Sequence, residues 1–249
     1  MRGVLVAMTF LTRAPLPVIA GAVDVGRAAR WFPLIGGLLG GAGALIAWTM
    51  TEVMAVPAAL TATLIVGVGT WATGAIHLDG LADSVDGFGG GRDREQVLRI
   101  MRDPLIGSYG AAALVFVIGI KVTAIAALLD RGVALPFIVA APAISRWTIS
   151  ALAARLPYAR SEEGLGKAVT HEPDAVGLVV ATSVTALIAI GALRVDALIV
   201  WAFAALTAVW IARTARRRIG GVTGDVFGAS VELTETAVLL CGVLLTGRA

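Results

Sequence analysis

The chain has 249 residues, of which 58% are hydrophobic and only 15% are charged, and its formal net charge is +3. A mean hydropathy of +0.88 lies outside the range usual for soluble domains, so the composition predicts an integral membrane protein. The small positive charge does not indicate a nucleic-acid partner, because the basic residues lie in short connections between apolar segments, where membrane topology explains them.

Apolar runs long enough to cross a bilayer, at about 20 residues each, recur along the chain. Candidate spans lie at 33–50, 57–76, 105–129, 133–153, 175–193, 197–212 and 226–246. The stretch 1–10 is shorter, and the Thr12-to-Pro17 segment interrupts it, which predicts a short interfacial or re-entrant helix. The predicted fold class is therefore an all-α, polytopic membrane bundle of about seven transmembrane helices plus short interfacial helices, with residues 1–249 forming a single membrane-embedded domain.

Lysine and arginine residues are concentrated in alternate connections. Fifteen lie in the N-terminal segment and in the 77–104, 154–173 and 213–225 connections, against three in the remaining connections and at the C-terminus. Because basic residues favour the cytoplasmic side of a membrane, this bias predicts that the N-terminus and the three long polar connections face the cytoplasm.

An acidic motif follows the second candidate span, beginning at His77. On an α-helix, spacings of four and three residues place Asp79, Asp83 and Asp86 on one face. Like charges so close together repel, and Mg²⁺ suits such a cluster because it takes carboxylate oxygens and bridges to substrate phosphates. His77 could act as a general base or contact a phosphate. The alternative is a solvated acidic helix end that pairs with nearby arginines.

Charged residues within the predicted spans are further candidates. Lys121, Arg146, Glu232 and Glu235 are costly in hydrocarbon, so we expect them to face an interior cavity. Arg146 could snorkel to the membrane interface, bind a substrate phosphate or pair with a buried acid. Asp225 leads into Glu232, and this segment is predicted to form the second wall of the acidic site, with acids from two parts of the chain meeting at one or two metal ions.

Taken together, these motifs resemble the signature of the cobalamin synthase family, also called adenosylcobinamide-GDP ribazoletransferases. The matching blocks are Phe10-Leu11-Thr12-Arg13 with Pro15 and Pro17, Trp31-Phe32-Pro33-Leu34, His77-Leu78-Asp79-Gly80-Leu81-Ala82-Asp83 with Asp86-Gly87, Gly90-Gly91-Arg92-Asp93-Arg94, Met101-Arg102-Asp103 with Gly107 and Gly110, Ser145-Arg146, Gly164-Leu165-Gly166, and Gly220-Gly221 with Thr223-Gly224-Asp225 and Gly228-Ala229. They stand in the family's order and cover essentially the whole chain.

The resemblance implies a transferase of the cytoplasmic (inner) membrane that uses Mg²⁺ and whose active site faces the cytoplasm. Its reaction joins adenosylcobinamide-GDP to α-ribazole or α-ribazole 5'-phosphate by attack of a ribose hydroxyl on the phosphorus next to cobinamide, and releases GMP. The implied partners are these two substrates and the lipid bilayer, with no nucleic acid, and a homo-oligomer is compatible with the sequence.

The motifs and the resemblance together select the candidate site residues. Candidate catalytic residues are His77, Asp79, Asp83, Asp86, Arg92 and Asp103. Candidate substrate-binding residues are Arg13, Arg99, Arg146, Lys167, Thr223 and Asp225. Candidate metal ligands are Asp79, Asp83, Asp86 and Glu232.

Two other functions remain open from the sequence. The acidic motif is also similar to that of membrane CDP-alcohol phosphotransferases, although this chain lacks the Ala-Arg pair and the downstream Gly-and-Asp spacing of that family. A divalent-metal or proton-coupled transporter would use the four charged residues within the spans. That model expects acids throughout the membrane depth, whereas most acids here lie in one connection, which favours an interfacial enzyme.

Overall fold

Long helices account for nearly all of the computed structural model, which describes residues 2–14, 25–161, 165–170 and 175–247. The helices are α1 (Arg2–Leu11), α2 (Val25–Ala28), α3 (Phe32–Trp48), α4 (Ala58–Thr73), α5 (Ile76–Gly90), α6 (Arg94–Ile100), α7 (Ser108–Asp130), α8 (Ala134–Ala153), α9 (Leu165–Thr170), α10 (Ala175–Leu193), α11 (Ala197–Ile219) and α12 (Gly224–Thr246). Across these ranges the structure has no strand, and the one isolated bridge pairs Tyr158 with Val222. Pro15, Pro17 and Gly164, which contribute to the predicted family blocks, lie outside the described residues.

The helices confirm the all-α, polytopic membrane class. Within the described residues, five helical runs are long and apolar enough to cross a membrane, or six if α4 and α5, bent by 89° at their junction, form one broken span. Because α5 carries three carboxylates and neither helix passes this test alone, we place α5 outside the spanning segments.

The predicted count of seven spans is not confirmed, because it counts 57–76 as a separate span and divides the run Ala175–Ile219 into α10 and α11. That run has 45 residues, and a straight helix of this length would measure roughly 67 Å, more than twice the hydrocarbon thickness of about 30 Å. The run is interrupted at Arg194, whose φ of 53° is left-handed.

The helices α8 and α12 form the centre of the bundle. In α8 and α12, 67% and 61% of the spanning window is buried by the protein, against 28% in α7. Thr148 of α8 and Ser230 of α12 join the two helices by a hydrogen bond of 2.9 Å between their hydroxyl oxygens. The polar residues of α12 therefore project from the most enclosed part of the scaffold.

Helix α7 begins later than the sequence predicts. The predicted span begins at residue 105, whereas the helix begins at Ser108. The first amide groups of a helix lack intrahelical acceptors, and here Asp86 of α5 supplies them, accepting from the N–H groups of Gly107 at 2.8 Å and Gly110 at 2.9 Å. The start of α7 is thus fixed by a carboxylate from another helix.

Two glycines allow α5 and α12 to cross at very short range. A Cβ atom added to Gly80 of α5 would lie 2.8 Å from the backbone oxygen of Asp225, and one added to Gly228 of α12 would lie 3.0 Å from the backbone oxygen of His77. Small residues at a crossing let helix backbones approach closely. This crossing brings the acidic face of α5 to the first turn of α12.

Candidate active site

The N-terminus of α12 is one wall of the candidate site. Thr223 has extended backbone angles and caps the helix, its side-chain oxygen accepting from the N–H of Val226 at 3.3 Å. Asp225 lies in the first turn. The free amide groups and the dipole at a helix N-terminus favour anions, so this end of α12 suits a phosphate or a carboxylate.

Arg160 lies directly opposite Asp225. Its Nη2 atom donates to Oδ2 of Asp225 at 2.7 Å, and the Thr223 hydroxyl donates to the same oxygen at 3.2 Å. The backbone beside Arg160 is fixed by two hydrogen bonds around the Tyr158–Val222 bridge, from Ala159 N–H to Val222 and from Val222 N–H to Pro157. The arginine is therefore held next to the α12 cap by the fold.

A cavity of about 290 Å³ lies between these elements. Asp79 and His77 of α5, Asp225 of α12, Arg160 and Arg102 are among its lining residues. His77 is buried, and its Nε2 atom has no hydrogen-bond partner within the described part of the chain. The cavity thus combines carboxylates, guanidinium groups and one imidazole, which is a suitable set for a phosphate ester and a divalent cation.

Asp83 lies one turn beyond Asp79 on α5, and its pKa reflects the charges around it. Partial burial, followed by the negative charges of Asp225 and Asp79, raises the pKa of the Asp83 carboxyl to about 7. Each of these two acids affects the Asp83 pKa more strongly than Arg160, which lowers it. Negative charge at this site is therefore under-compensated by the protein, as at a site that receives a cation.

The third acid of the motif has a different role in the structure. Asp86 is buried, and each of its two carboxylate oxygens accepts a backbone N–H at the start of α7. Its spacing in the sequence predicts that Asp86, like Asp79 and Asp83, is a catalytic residue and a metal ligand. The geometry instead makes Asp86 the anchor that holds α5 against α7 and so orients the other two acids.

The charged residues within the spans form a separate cluster, which we call the ionic quartet: Lys121, Arg146, Glu232 and Glu235. Lys121 Nζ lies 2.9 Å from Glu232 Oε2 and 2.7 Å from Glu235 Oε1, and Arg146 pairs with Glu235 Oε2. The quartet borders a different cavity, of about 120 Å³, between α3, α4, α7, α8 and α12.

This arrangement corrects the predicted second wall of the site. Asp225 does face the acids of α5, but Glu232 lies two turns further along α12 and its carboxylate is paired with Lys121. Arg146, predicted to bind substrate, is paired with Glu235. The sequence signal for all four residues was the cost of charge in hydrocarbon, and this cost can be met by mutual pairing as well as by a ligand.

The remaining predicted residues lie around the cavity rather than in it. The backbone of Arg13 donates to Ala72, and its side chain lies against Gly74 at the junction of α4 and α5. Arg92 and Arg99 are exposed at α6, and exposed Asp103 accepts from the N–H of Leu105 at 3.0 Å. Lys167 lies on α9, next to Gly166, which lines the cavity.

Arg160 is the functional candidate that the sequence analysis missed. In the sequence Arg160 lies in a polar connection that contains other basic residues, and membrane topology explains its charge. The bridge between Tyr158 and Val222 that places it at the cap of α12 joins segments 64 residues apart. A weak signal was available in the neighbouring Gly164-Leu165-Gly166 block, since a Cβ atom added to Gly166 would lie 2.7 Å from the amide nitrogen of Gly224.

The acidic residues fit a metal ion that is shared with a substrate. Within the described residues, no group of three or more His, Cys, Asp or Glu side chains is arranged to hold a metal ion by itself. Mg²⁺ rarely uses such a cage and is more often held by one or two carboxylates, waters and substrate phosphates. Asp79, Asp83 and Asp225 are the donors that would meet it, since the negative charges of Asp225 and Asp79 disfavour the ionisation of Asp83.

Fold and site together define a class: a polytopic helical membrane protein with an acidic, phosphate-compatible cavity at the crossing of two helices. The family model for cobalamin-5-phosphate synthase matches residues 3–243, and the chain belongs to this family. No solved structure matches the chain.

Curated relatives cover nearly the whole chain. A protein from Leptothrix cholodnii is 39% identical over 249 residues, covering 94% of this chain and 92% of its own length. A protein from Pseudomonas aeruginosa is 38% identical, covering 96% and 97%, and one from Pseudomonas fluorescens is 37% identical, covering 96% and 98%. All three are named adenosylcobinamide-GDP ribazoletransferase, which confirms the resemblance found in the sequence.

Proposed function

We propose that this protein is a Mg²⁺-dependent adenosylcobinamide-GDP ribazoletransferase that acts in assembly of the cobalamin nucleotide loop. It joins adenosylcobinamide-GDP to α-ribazole or α-ribazole 5'-phosphate. The observation that supports this most directly is the cavity at the α5–α12 crossing, where under-compensated acids lie beside an arginine and a helix N-terminus.

The proposed reaction is a displacement at phosphorus. A ribose hydroxyl of α-ribazole forms a bond to the phosphorus next to cobinamide, the bond from that phosphorus to the bridging oxygen breaks, GMP leaves with that oxygen, and the hydroxyl proton is released. Such a reaction depends mainly on positioning and on stabilising developing charge. A bound Mg²⁺ would supply charge neutralisation at the diphosphate oxygens.

The protein's own residues have separate parts in this proposal. Asp79 and Asp225, which line the cavity, hold the cation together with Asp83, one turn beyond Asp79. The amide groups at the start of α12 face the diphosphate. His77 lines the same cavity with Nε2 unpartnered among the described residues, so it can accept a hydrogen bond from the attacking hydroxyl.

The distribution of basic residues supports the proposed location. We place the cavity on the cytoplasmic face of the inner membrane, because α5, the 154–173 connection and the start of α12 all adjoin the basic connections. Both substrates are polar and would reach this face without crossing the bilayer.

The test is GMP release by purified full-length protein given adenosylcobinamide-GDP, α-ribazole 5'-phosphate and Mg²⁺. We expect Asp83→Asn to remain folded in the membrane and to lose GMP release by about 10³-fold or more, since a charge of the metal site is removed without change of shape. The matched control is Glu95→Gln, which removes an exposed carboxylate of α6 outside the cavity. An undiminished rate in Asp83→Asn would remove the acids from the chemistry.

Two results with the wild-type protein would favour the other functions. Turnover of a CDP-activated alcohol without any reaction of the cobinamide nucleotide would identify a CDP-alcohol phosphotransferase. Metal flux into proteoliposomes in the absence of any nucleotide would identify a transporter.

A further inference from the structure

Arg160 occupies an unusual electrostatic position. Its Nη2 atom donates to Oδ2 of Asp225 at 2.7 Å, and its Nε atom is buried without a partner among the described residues. Both side chains are largely enclosed, at 15% and 19% exposure. A guanidinium group has five N–H donors in a planar fork, so the contact with Asp225 uses little of the hydrogen-bonding capacity of Arg160.

Neighbouring arginines show what a purely structural arginine looks like in this fold. Arg94 donates from Nε to the backbone oxygen of Ile219 at 2.9 Å and from Nη2 to that of Ala159 at 2.6 Å. Arg218 donates from Nη2 to the backbone oxygens of Phe88 and Gly91, although its Nε atom, like that of Arg160, has no partner among the described residues. Backbone carbonyls are permanent acceptors, so these two arginines are not expected to change partner when a ligand binds. Arg160 differs because its acceptor is a carboxylate that lines the cavity.

A divalent cation and Arg160 would compete for the same acid. Asp225 Oδ2 already accepts from both Arg160 and Thr223, and a cation bound there would take over the neutralisation of this carboxylate. Once the cation supplies two positive charges, the guanidinium is no longer needed at Asp225, and its planar fork matches the oxygens of a phosphate.

We infer that Arg160 is an exchangeable counter-ion. It neutralises Asp225 while no divalent cation is bound there, and it transfers to the diphosphate of the substrate when a cation binds Asp225. This inference rests on the proposed function for the kind of ligand, a cation with a diphosphate. The backbone of Arg160 need not move, because the bridge at Tyr158 and Val222 holds it beside the cavity, and only the side chain changes partner.

The exchange makes a prediction that a structural ion pair does not. Arg160→Gln frees Asp225, so cation affinity in the absence of diphosphate should rise, by about threefold or more, while diphosphate affinity at saturating cation should fall by about tenfold or more. A residue that merely stabilises the loop would lower both affinities and the unfolding temperature.

The experiment uses the full-length protein in lipid nanodiscs. Mn²⁺, which prefers the same oxygen ligands as Mg²⁺, is titrated and its free concentration followed by electron paramagnetic resonance. Radiolabelled inorganic diphosphate is then measured by equilibrium dialysis at a fixed excess of Mn²⁺. Arg160→Lys keeps the charge but loses the fork, so it should bind Mn²⁺ like wild type and diphosphate with intermediate affinity. Arg155→Gln, an exposed arginine in the same segment, should change neither affinity.

Opposite changes of the two affinities in Arg160→Gln support the exchange. A decrease of both, an unchanged Mn²⁺ affinity, or no Mn²⁺ binding by the wild-type protein would overturn it. Neither readout uses the transferase reaction, so opposite changes in a protein that releases no GMP would refute the proposed function and leave the exchange intact.

Discussion

Two clusters of buried or half-buried charge lie within the part of the chain that the structure describes, and they differ in the balance of positive and negative groups. In the ionic quartet, two basic groups face two acids at contact distance. At the α5–α12 crossing, the negative charges of Asp79 and Asp225 act on Asp83 more strongly than the positive charge of Arg160 offsets them. In a balanced cluster the protein neutralises its own buried charges, whereas an unbalanced cluster is neutralised only when a ligand of opposite charge binds. The first is therefore expected to support the fold and the second to bind.

The largest expected effect on folding comes from unbalancing the quartet. Glu235→Gln leaves Lys121 and Arg146 against Glu232 alone, and breaking a buried ion pair from one side costs about 3–5 kcal/mol. The measurement is the free energy of unfolding by denaturing detergent. The variant Glu235→Gln with Arg146→Gln restores the balance and should recover part of the loss. A Glu235→Gln protein that keeps its stability but loses Mn²⁺ binding would place the quartet in the metal site.

A smaller loss of stability is expected from Asp86→Ala. This substitution leaves the N–H groups of Gly107 and Gly110 without their acceptor, at a cost of about 1–3 kcal/mol. Unfolding by denaturing detergent measures the loss, and Mn²⁺ binding to the remaining acids should persist. Asp93→Ala, which removes an exposed cap of α6, is the comparison and should cost about 1 kcal/mol. Wild-type stability together with abolished Mn²⁺ binding would make Asp86 a metal ligand.

The smallest expected effect is a dependence of cation affinity on pH. Because the pKa of Asp83 is raised to about 7, protons compete with the cation below that pH, and Mn²⁺ affinity should rise by up to about tenfold per pH unit before levelling above pH 7. Without a cation, the same shift predicts that stability falls as the pH rises toward 7. Asp83→Asn should lose most of the pH dependence, and an equally steep dependence in that variant would assign the titration to another group.

Much of the scaffold could be predicted from sequence because hydropathy and helical spacing are local. The runs that became α7, α8 and α12 were recognised to within a few residues, and the face shared by Asp79, Asp83 and Asp86 follows from their spacing alone. The predicted start of α7 was wrong because Asp86, more than twenty residues away, accepts the N–H of Gly107 and so fixes where the helix begins.

The partners of the charged residues could not be predicted, since each is set by packing between distant segments. Glu232 required a compensating group, but its pairing with Lys121 across 111 residues depends on how α7 and α12 pack. The sequence therefore indicated which residues need a partner and left open whether the partner is protein or ligand. Asp225 and Glu232 both lie on α12, but Glu232 is paired with Lys121 of the protein, whereas Asp225 is proposed to bind a ligand.

The most direct test of this distinction is Mn²⁺ titration of three full-length proteins in nanodiscs: wild type, Asp79→Asn with Asp83→Asn, and Lys121→Gln with Glu232→Gln. Both double variants remove two charges, but only the first removes them from the α5–α12 crossing. We predict that the first loses Mn²⁺ binding and that the second keeps the wild-type affinity. Wild-type binding by the first variant, or loss of binding confined to the second, would contradict the account.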